Sequence, residues 1–439
     1  MAHISIDLSK EIGPIKPVNG VGQAPILGWC DSSMFHYLTE AGIPYSRLHD
    51  TGGSYGGNRF VDIPNIFRNF DADPADPASY DFGFTDVLIT ELFKAGVQPY
   101  YRLGVTIENK YRISKLRIDP PKDFLKWAKI CEGIIRHYTE GWANGFHYNI
   151  QYWEIWNECD QVPDENGYNQ MWGGTFDQYL ELYGTSTKYL KSKFPRLKFG
   201  GYGSCGYTAA VLGEKPEEDY HIQCLNKFLA YVKEHDCPLD FFSWHSYELP
   251  GVVQACANYV QKRLEDAGFG GIEHHCNEWN TYNSWTERSY YARDTPQHAA
   301  GTAATLIAFQ DSPVRAAMFY DARIGVSTFG CLFNPMTREP LKGYYPFLGF
   351  NEIRKRGTEV ATFSDTKNVW ALSAKDDKGA AMMIANFTDE EQPLDLELGG
   401  AQIVSCRITN ADHDYDELPL PRALGKYDVL YLILQSPSV

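Results

Sequence analysis

The sequence predicts an α/β protein in which a (β/α)8 TIM barrel carries an accessory antiparallel β-sandwich domain. Between residues 18 and 320, short runs rich in β-forming residues alternate with longer amphipathic runs, the pattern of a parallel sheet covered by helices. After about Leu341 the pattern changes to short β-type runs separated by Asp, Lys and Gly turns, which indicates a small antiparallel sandwich. We expect an N-terminal strand that joins the sandwich (1–14), the barrel (15–345) and the sandwich itself (346–439).

Eight candidate strands alternate with helix-like segments, and this number favours a closed barrel over an open sheet. The clearest helix covers residues 121–138, where Trp127, Ile130 and Ile134 recur at helical spacing. Pro121 supplies its start signal and Gly141 lies just past its end, and segments 175–194 and 220–235 have a similar pattern. The candidate barrel strands are 18–22, 45–49, 98–103, 151–156, 197–201, 241–245, 272–278 and 316–320, and the candidate sandwich strands are 2–8, 369–373, 380–387, 394–398, 403–408 and 429–434.

The composition excludes some partners. The net charge is −16, whereas nucleic-acid backbones and anionic membranes attract basic surfaces, so we expect neither as a partner. No apolar run approaches the ~20 residues of a membrane span. The 29 Tyr, 24 Phe and 10 Trp suit either a large aromatic core or stacking on the flat faces of sugars. The oligomeric state is left open.

The ten cysteines contain no CxxC pair, so we expect mostly reduced thiols and no metal or other cofactor. In the segment His274-His275-Cys276, adjacent side chains of a strand point to opposite faces, which disfavours a metal site. The first residues, from Met1 onward, lack the basic and apolar regions of a signal peptide. The chain as written is therefore expected to be cytoplasmic, or periplasmic or secreted if a leader was removed.

Two of the candidate strands end in a carboxylate. The fourth ends in Asn157-Glu158 and the seventh in Asn277-Glu278, and catalytic groups of a (β/α)8 barrel lie at the C-terminal ends of its strands. Glycoside hydrolysis needs one carboxyl to protonate the leaving oxygen and another to meet the anomeric carbon, about 5–5.5 Å apart in retaining enzymes. Because strands four and seven face each other across a barrel mouth, this pair predicts a glycosidase site.

Glu154 competes with Glu158 for the acid role because it lies four residues upstream. Strand alternation predicts that Glu154, Trp156 and Glu158 point the same way. Glu154 would then lie deeper in the barrel, paired to a basic residue, and Glu273 is interpreted as structural in the same way. Trp156 and Trp279 flank the two carboxylates and are expected to form apolar walls that raise the pKa of the acid.

These strand ends resemble those of the clan of retaining (β/α)8 glycosidases, together with the runs YSRLH at 45–49, DFFSWHSY at 240–247 and NEWN at 277–280. More narrowly, the chain resembles glycoside hydrolase family 39, which contains β-xylosidases and α-L-iduronidases. The resemblance covers most of the chain, and the β-sandwich after the barrel agrees with it. It implies a retaining glycoside hydrolase that acts by double displacement on β-xylosides or related glycosides of oligosaccharides and polysaccharides.

Residue by residue, the resemblance implies Glu158 as the acid/base and Glu278 as the nucleophile. Among the implied substrate-binding residues, Asn157 hydrogen-bonds the sugar 2-OH and His49 binds another hydroxyl. Arg47 steadies the nucleophile. His245 and Tyr247 line the −1 subsite, and Tyr247 also donates a hydrogen bond to the nucleophile. Trp279 and Tyr320 complete the set beside them.

The chain departs from the family pattern in two places. The family usually follows Asn-Glu with Pro, whereas Cys159-Asp160 follow here, and we expect this change to alter a loop and not the chemistry. On strand eight the family's xylosidases have a Trp with acidic residues beyond it, whereas this chain has Tyr320 and Arg323. We expect Arg323 to meet a carboxylate or a hydroxyl, and the glycine-rich loop 51–57 to suit close approach of substrate. The −1 sugar therefore stays open between a β-xyloside, an arabinoside, a hexoside and a uronide.

Two other classes of function are weighed against the glycosidase. A catalytically degenerate, carbohydrate-binding barrel is disfavoured because both carboxylates are present. A metal-dependent hydrolase needs clusters of His and Asp ligands at the strand ends, and the sequence does not supply them.

Overall fold

The computed structural model of the chain describes residues 2–26, 34–51, 61–105, 118–167, 169–281, 294–324, 329–330 and 332–435. Among these residues, eight parallel strands close into a barrel and nine further strands form a separate, mostly antiparallel sheet. The predicted TIM barrel with an accessory β domain is therefore confirmed. Most of the glycine-rich loop predicted at 51–57 lies outside the described residues.

The barrel strands lie within a few residues of the predicted positions. Neighbouring strands pair in parallel in chain order, and Val21 pairs with both Ser46 and Phe319, which closes the barrel. After the N-terminal strand β1 (Ala2–Pro14), the barrel strands are β2 (Gly20–Gly22), β3 (Tyr45–Leu48), β4 (Gln98–Leu103), β5 (Tyr152–Ile155), β6 (Lys198–Ser204), β7 (Phe241–Ser246), β8 (Glu273–Trp279) and β9 (Ala316–Phe319).

The three helices that the sequence predicts most clearly are all present, as α4, α5 and α7 below. The α4 helix begins one residue after Asp123, whose side chain accepts a hydrogen bond from the backbone N–H of Lys126 and so caps the helix. In the described residues the helices are α1 (Phe35–Glu40), α2 (Ile63–Ile66), α3 (Gly83–Lys94), α4 (Phe124–Glu140), α5 (Phe176–Lys193), α6 (Thr208–Leu212), α7 (Tyr220–Glu234), α8 (Pro250–Ala267), α9 (Pro296–Gln310) and α10 (Tyr345–Arg356).

The second sheet is built from both ends of the chain. Its C-terminal strands are β10 (Thr358–Ser364), β11 (Val369–Asp376), β12 (Gly379–Asn386), β13 (Gln392–Glu397), β14 (Gln402–Thr409), β15 (Asp414–Glu417), β16 (Ala423–Leu424) and β17 (Val429–Gln435). β1 pairs antiparallel with β10 and parallel with β13, so the N-terminal run joins this sheet. The strand order is β15-β14-β17-β12-β11-β10-β1-β13-β16.

β12 is buried on both faces and therefore links two cores. Met383 belongs to the large core that contains the barrel and its helices. On the opposite face, Met382 and Ile384 belong to a second core with Ile4 and Leu432. The sheet thus packs on the barrel and also encloses apolar side chains of its own.

Four elements, α10, β10, β15 and β16, were not predicted from the sequence. α10 has Pro346 in its first turn, where proline is tolerated, and Gly349 in its interior, which weakens its helical pattern, yet Phe347, Phe350 and Ile353 are buried. Contacts of α10 with α9, β11 and β12 stabilise it, so tertiary packing overrides the local propensity.

The barrel interior is layered from apolar to polar. At the N-terminal ends of the strands, Tyr100, Tyr152, Phe241 and Met318 form an apolar plug, and the polar site lies above it, at the C-terminal ends.

All eight cysteines within the described residues are free thiols. In the same part of the chain, no helix combines the length and the apolar character needed to cross a bilayer.

Candidate active site

Arg47, on the second barrel strand β3, is the centre of a polar network inside the barrel. Its guanidinium donates through Nε to Glu154 at 2.8 Å, through Nη1 to Glu278 at 2.5 Å and through Nη2 to Asn157 Oδ1 at 2.6 Å. The Arg47 side chain is only 1% exposed, so these charge-assisted bonds are shielded from water. One cation on β3 thus brings together residues from β5, its end and β8.

Glu154 lies below the site and is fully buried. Besides Arg47, its carboxylate accepts from the Ser243 hydroxyl and from the Asn277 side-chain amide, both at 2.6 Å. The expected pairing of Glu154 with a basic residue is therefore present. Ser243 was not predicted as part of the site, because a serine inside an apolar strand gives no signal of its own.

Glu278 faces the barrel mouth because of a bulge in β8. Trp244 pairs with Cys276, whereas the next residue, His245, pairs with Glu278. Asn277 is therefore the extra residue, and both Asn277 and Glu278 contact groups inside the barrel. The Tyr247 hydroxyl donates to Glu278 Oε2 at 2.7 Å, while Arg47 holds Oε1.

Glu158 follows β5 and has a left-handed backbone conformation, with φ of 47°. Its backbone N–H contacts the carbonyl oxygens of Tyr202 and Gly203 at 3.0 and 2.9 Å, which ties the residue to the end of β6. Its Oε1 lies 2.7 Å from His245 Nδ1. The side chain is 12% exposed, so it is accessible from the barrel mouth.

The ligand-type atoms of Glu158, His245 and Glu278 all lie within 4.8 Å of one another. This is the one group of possible metal ligands found in the described residues, and the sequence analysis did not foresee it. However, Arg47 and Tyr247 already donate to the two oxygens of Glu278, and a cation placed there would be repelled by the guanidinium. We therefore interpret the group as a pair of catalytic carboxyls with a histidine partner, not as a metal centre.

Burial gives Glu158 and His245 complementary protonation states. Burial, followed by the charge of Asp160, raises the pKa of Glu158 to about 8. Burial lowers the pKa of His245 to about 4, against the charge of Glu278. At neutral pH, Glu158 therefore carries the proton and donates it in the hydrogen bond to the neutral Nδ1 of His245. A carboxyl in this state is a general acid.

Glu278 is in a different electrostatic environment. Burial, with a smaller effect of Glu158, raises its pKa, and Arg47 and the Tyr247 hydrogen bond oppose this rise without reversing it. Because the Arg47 guanidinium donates directly to Glu278, we assign the ionised form to this carboxyl. The site thus holds one protonated and one ionised carboxyl close together.

Asn157 offers a free donor in the barrel mouth. Its Oδ1 is held by Arg47, so the amide nitrogen must point the other way. That Nδ2 atom is buried without a hydrogen-bond partner. A buried donor of this kind is satisfied when a ligand supplies an acceptor.

His49 is held as a neutral imidazole of defined tautomer. Arg102 donates through Nε to His49 Nδ1 at 3.1 Å and through Nη2 to Asp62 at 2.8 Å. Burial, then the charge of Arg102, lowers the pKa of His49 well below its usual value. Since Nδ1 accepts, Nε2 carries the hydrogen, and it lies 3.5 Å from Asp50 and 3.7 Å from Glu278.

Tyr320 and Arg323 lie at the end of β9, beside His49. The Tyr320 hydroxyl donates to Asp50 at 2.8 Å and accepts from Gln23 Nε2 at 2.9 Å. Neither Gln23 nor Asp50 was predicted from the sequence, because each follows a short strand and matches no motif. Arg323 forms an ion pair with Asp321 at 3.2 Å and is 22% exposed.

Comparison with known proteins agrees with this arrangement. The family model described as glycosyl hydrolases family 39 matches residues 39–324, which is well over half of the chain and includes both carboxyls. The chain belongs to this family. It is therefore a glycoside hydrolase, as the sequence analysis predicted.

Individual relatives are distant. The enzyme is 23% identical over 218 residues to a β-xylosidase of Geobacillus stearothermophilus, a match that covers 48% of this chain and 39% of that protein. Among solved structures, it resembles a glucosidase from Croceicoccus marinus with a TM-score of 0.78 at 22% identity over the whole of both chains. A monomeric β-xylosidase from Caulobacter crescentus gives 0.71 at 16% identity, over 99% of this chain and 100% of that one. At such identities the structural likenesses establish the fold.

The interpretation of Trp279 as substrate-binding is wrong. Its ring is fully buried and packs against Phe309, Phe319 and Phe347, between the barrel and its helices. The bulge at Asn277 is the physical reason, because two successive residues, Asn277 and Glu278, face inward and the next one, Trp279, faces outward.

Trp156 likewise does not form an apolar wall beside Glu158. β5 ends at Ile155, and Trp156 has φ of 71°, so the strand alternation does not continue to Glu158. The indole packs against Trp127 and Trp172, outside the barrel. Groups other than the Trp156 ring therefore bury Glu158 and raise its pKa.

The backbone of Gly203 lies close to the side chains of the Arg47 network, and we expect Gly203→Ala to disturb that network. Gly203 has φ of +58°, and a Cβ there would lie 3.1 Å from atoms of Arg47, Asn157 and His245. The conformational cost is about 1–2 kcal/mol, and displacement of these side chains should also lower kcat. Thermal unfolding and turnover of an aryl glycoside measure the two effects.

Gly96→Ala is the matched control for this substitution. Gly96 has φ of +77° but nothing within 4 Å of the added Cβ. It should therefore lose comparable stability and keep its turnover. Equal kcat losses in the two variants would contradict the close-approach role of Gly203.

Proposed function

We propose that the enzyme hydrolyses β-xylosides with retention of configuration, with Glu158 as acid/base and Glu278 as nucleophile. The observation that carries this proposal is the separation of the two carboxyls, which have oxygens within 4.8 Å of each other. Retaining enzymes need about 5–5.5 Å between the carboxyl groups, whereas inverting enzymes need roughly 6.5–9.5 Å to admit a water molecule.

The reaction proceeds by two displacements. In the first, the ionised Glu278 carboxylate attacks the anomeric carbon while the protonated Glu158 gives its proton to the leaving glycosidic oxygen. A covalent glycosyl ester of Glu278 forms and the aglycone alcohol departs. In the second, Glu158 takes a proton from water, which attacks the same carbon and releases Glu278 as a carboxylate.

The surrounding groups suit these steps. Arg47 and Tyr247 each donate to one oxygen of Glu278, which orients the nucleophile and favours its ionised form. The unpartnered Asn157 Nδ2 is the proposed donor to the sugar 2-OH, a bond that strengthens in the transition state of glycosidases. His49 Nε2 and Tyr320 are proposed to bind other hydroxyls of the −1 sugar.

A β-xyloside is the first choice of substrate because the Geobacillus stearothermophilus relative is a β-xylosidase. A β-glucoside is the second, because the Croceicoccus marinus structure is that of a glucosidase. Arg323 is proposed to meet a hydroxyl or a carboxylate, so a uronide belongs in the same test. A panel of nitrophenyl xylosides, glucosides, arabinosides and uronides should show the highest kcat/KM for the β-xyloside.

Proton NMR of the first sugar released from that panel tests the mechanism. Retention predicts that the β-anomer of xylose appears first and then mutarotates. Initial release of the α-anomer would overturn the retaining mechanism, whichever sugar is preferred.

Glu158→Gln should lower turnover according to the leaving group. Loss of a general acid costs about 10²–10⁴-fold for aglycones that need protonation, but much less in the first step for dinitrophenyl glycosides, which depart as stable anions. Azide, which needs no general base, should then accelerate the dinitrophenyl reaction and yield the glycosyl azide of retained configuration. A uniform loss across all leaving groups, without azide rescue, would argue against the acid/base role.

A further inference from the structure

Asp160 is a buried carboxylate that the proposed mechanism does not use. It is 0% exposed and lies two residues after Glu158, at the position where the sequence analysis expected a change of loop shape only. In the described parts of the chain, no Lys, Arg or His nitrogen lies within ion-pair distance of it. Burial of an acid without a cation partner is costly, and this cost calls for an explanation.

Resting on the proposed function, we infer that Asp160 is a positioning residue, which locks the Glu158 loop onto the end of β6 and holds a fixed negative charge behind the acid/base.

The hydrogen bonds show how the loop is locked. The backbone N–H of Glu158 contacts the carbonyl oxygens of Tyr202 and Gly203. Asp160 accepts from the Ser204 hydroxyl at 2.6 Å and from the Cys205 backbone N–H at 3.1 Å. Four consecutive residues at the end of β6 thus hold the acid/base and the second residue after it. This contact fixes Glu158 in its left-handed backbone conformation, which is unfavourable for a glutamate.

The negative charge of Asp160 acts on Glu158 as well. Among the groups that affect the pKa of Glu158, burial comes first and Asp160 second, and both raise it, as Glu154 does to a smaller extent. Arg47 and His221 lower it. The other titratable groups near Glu158 are His245, neutral at pH 7, and Glu278, held by Arg47. Cys159, Cys205 and Tyr247 also lie close, and burial raises the pKa of each, so all three are neutral.

Asp160 therefore helps to keep Glu158 protonated at neutral pH. The proton is needed in the first displacement, so the basic limb of the kcat/KM profile reports its loss. Removing the Asp160 charge makes ionised Glu158 less unfavourable, so the pKa of Glu158 falls and the basic limb moves to lower pH.

Asp160→Asn and Asp160→Ser test the inference. Both remove the charge, and the side-chain carbonyl of Asn can still accept from the Cys205 N–H, whereas the shorter Ser avoids placing a new amide group in the buried site. We expect the basic limb of kcat/KM on the preferred aryl glycoside to fall by about one pH unit. Ser204→Ala is the matched control, because it removes one hydrogen bond and retains the charge, so its basic limb should stay at the wild-type pH.

A substrate-free titration separates this inference from the proposed function. In protein labelled with ¹³C at the glutamate carboxyl, the Glu158 signal is the one that disappears in Glu158→Gln. Its midpoint should fall in both Asp160 variants and remain in Ser204→Ala. If the wild-type enzyme cleaved no glycoside, the proposed function would fail while this titration still reported on Asp160. An unchanged midpoint in whichever charge-removing variant folds, or an equal fall in Ser204→Ala, overturns the inference.

Discussion

Glu278→Gln is expected to lower kcat on an aryl β-xyloside by about 10⁶-fold, the scale found when a covalent nucleophile is deleted. The amide keeps the size of the carboxylate and can still accept from Arg47, so the fold should survive. It cannot form the glycosyl ester, so both displacements are lost. Released nitrophenolate, corrected for spontaneous hydrolysis, measures the effect.

Mass spectrometry identifies the ester directly. An activated 2-deoxy-2-fluoro xyloside should add one glycosyl unit to the wild-type enzyme, on the peptide that contains Glu278, and none to Glu278→Gln. Labelling of another residue in the wild-type enzyme would contradict the assignment.

Glu273→Gln is the matched control on the same strand. Glu273 lies at the opposite end of β8, where it accepts from Tyr152 and pairs with Lys198 at 2.7 and 2.6 Å. Its replacement should leave kcat within a few-fold of wild type. Comparable losses in the two variants would point to damage of the β8 strand and not to loss of a nucleophile.

The architecture could be predicted from the sequence because its signals are local. Each barrel strand is a short β-rich run followed by an amphipathic segment, and two of these runs end in Asn-Glu. The fold rule that places strand ends at one mouth then brings Glu158 and Glu278 together without any knowledge of their contacts. The roles of Arg47 and Tyr247 came instead from the family resemblance, and the structure shows both side chains in contact with Glu278.

The orientation of residues near the strand ends could not be predicted in the same way. Alternation fails where an extra residue enters a strand, as at Asn277, or where a residue adopts a positive φ, as Trp156 does. The extra residue Asn277 reverses the direction of Trp279, whereas β5 ends before Trp156, so alternation does not extend to it. Both tryptophans were therefore assigned to the wrong face. Nothing in the identity of Asn277 or Trp156 signals the change.

The support beneath the carboxyls was also beyond the sequence, because it depends on long-range contacts. Ser243 and Asn277 meet at Glu154 from strands separated in the chain, and Asp160 meets the end of β6. Each is an ordinary residue in its own segment. Their roles appear only when the barrel closes, since the groups that they contact lie 40 or more residues away.

Replacement of Arg47 by Met should have the largest effect on stability. The substitution leaves the buried carboxylate of Glu154 without its cation and frees one oxygen of Glu278. Loss of one partner from a buried ion pair costs about 3–5 kcal/mol, and denaturant unfolding measures this change. Turnover should fall as well, because Glu278 loses the group that keeps it ionised and Asn157 loses the anchor of its side chain.

A second substitution shows whether the unpaired Glu154 charge is the cause. In Arg47→Met/Glu154→Gln the buried group is neutral, and its remaining oxygen can still accept from Ser243 and Asn277. This double variant should regain part of the lost free energy of unfolding while its turnover stays low, since Glu278 still lacks the guanidinium. If Glu154→Gln recovers no stability in the Arg47→Met background, the cost arises from packing around the long side chain and not from charge. In that case Arg47 would act on the reaction through Glu278 alone, and Arg47→Lys, which keeps a cation near that carboxylate, should recover turnover without recovering stability.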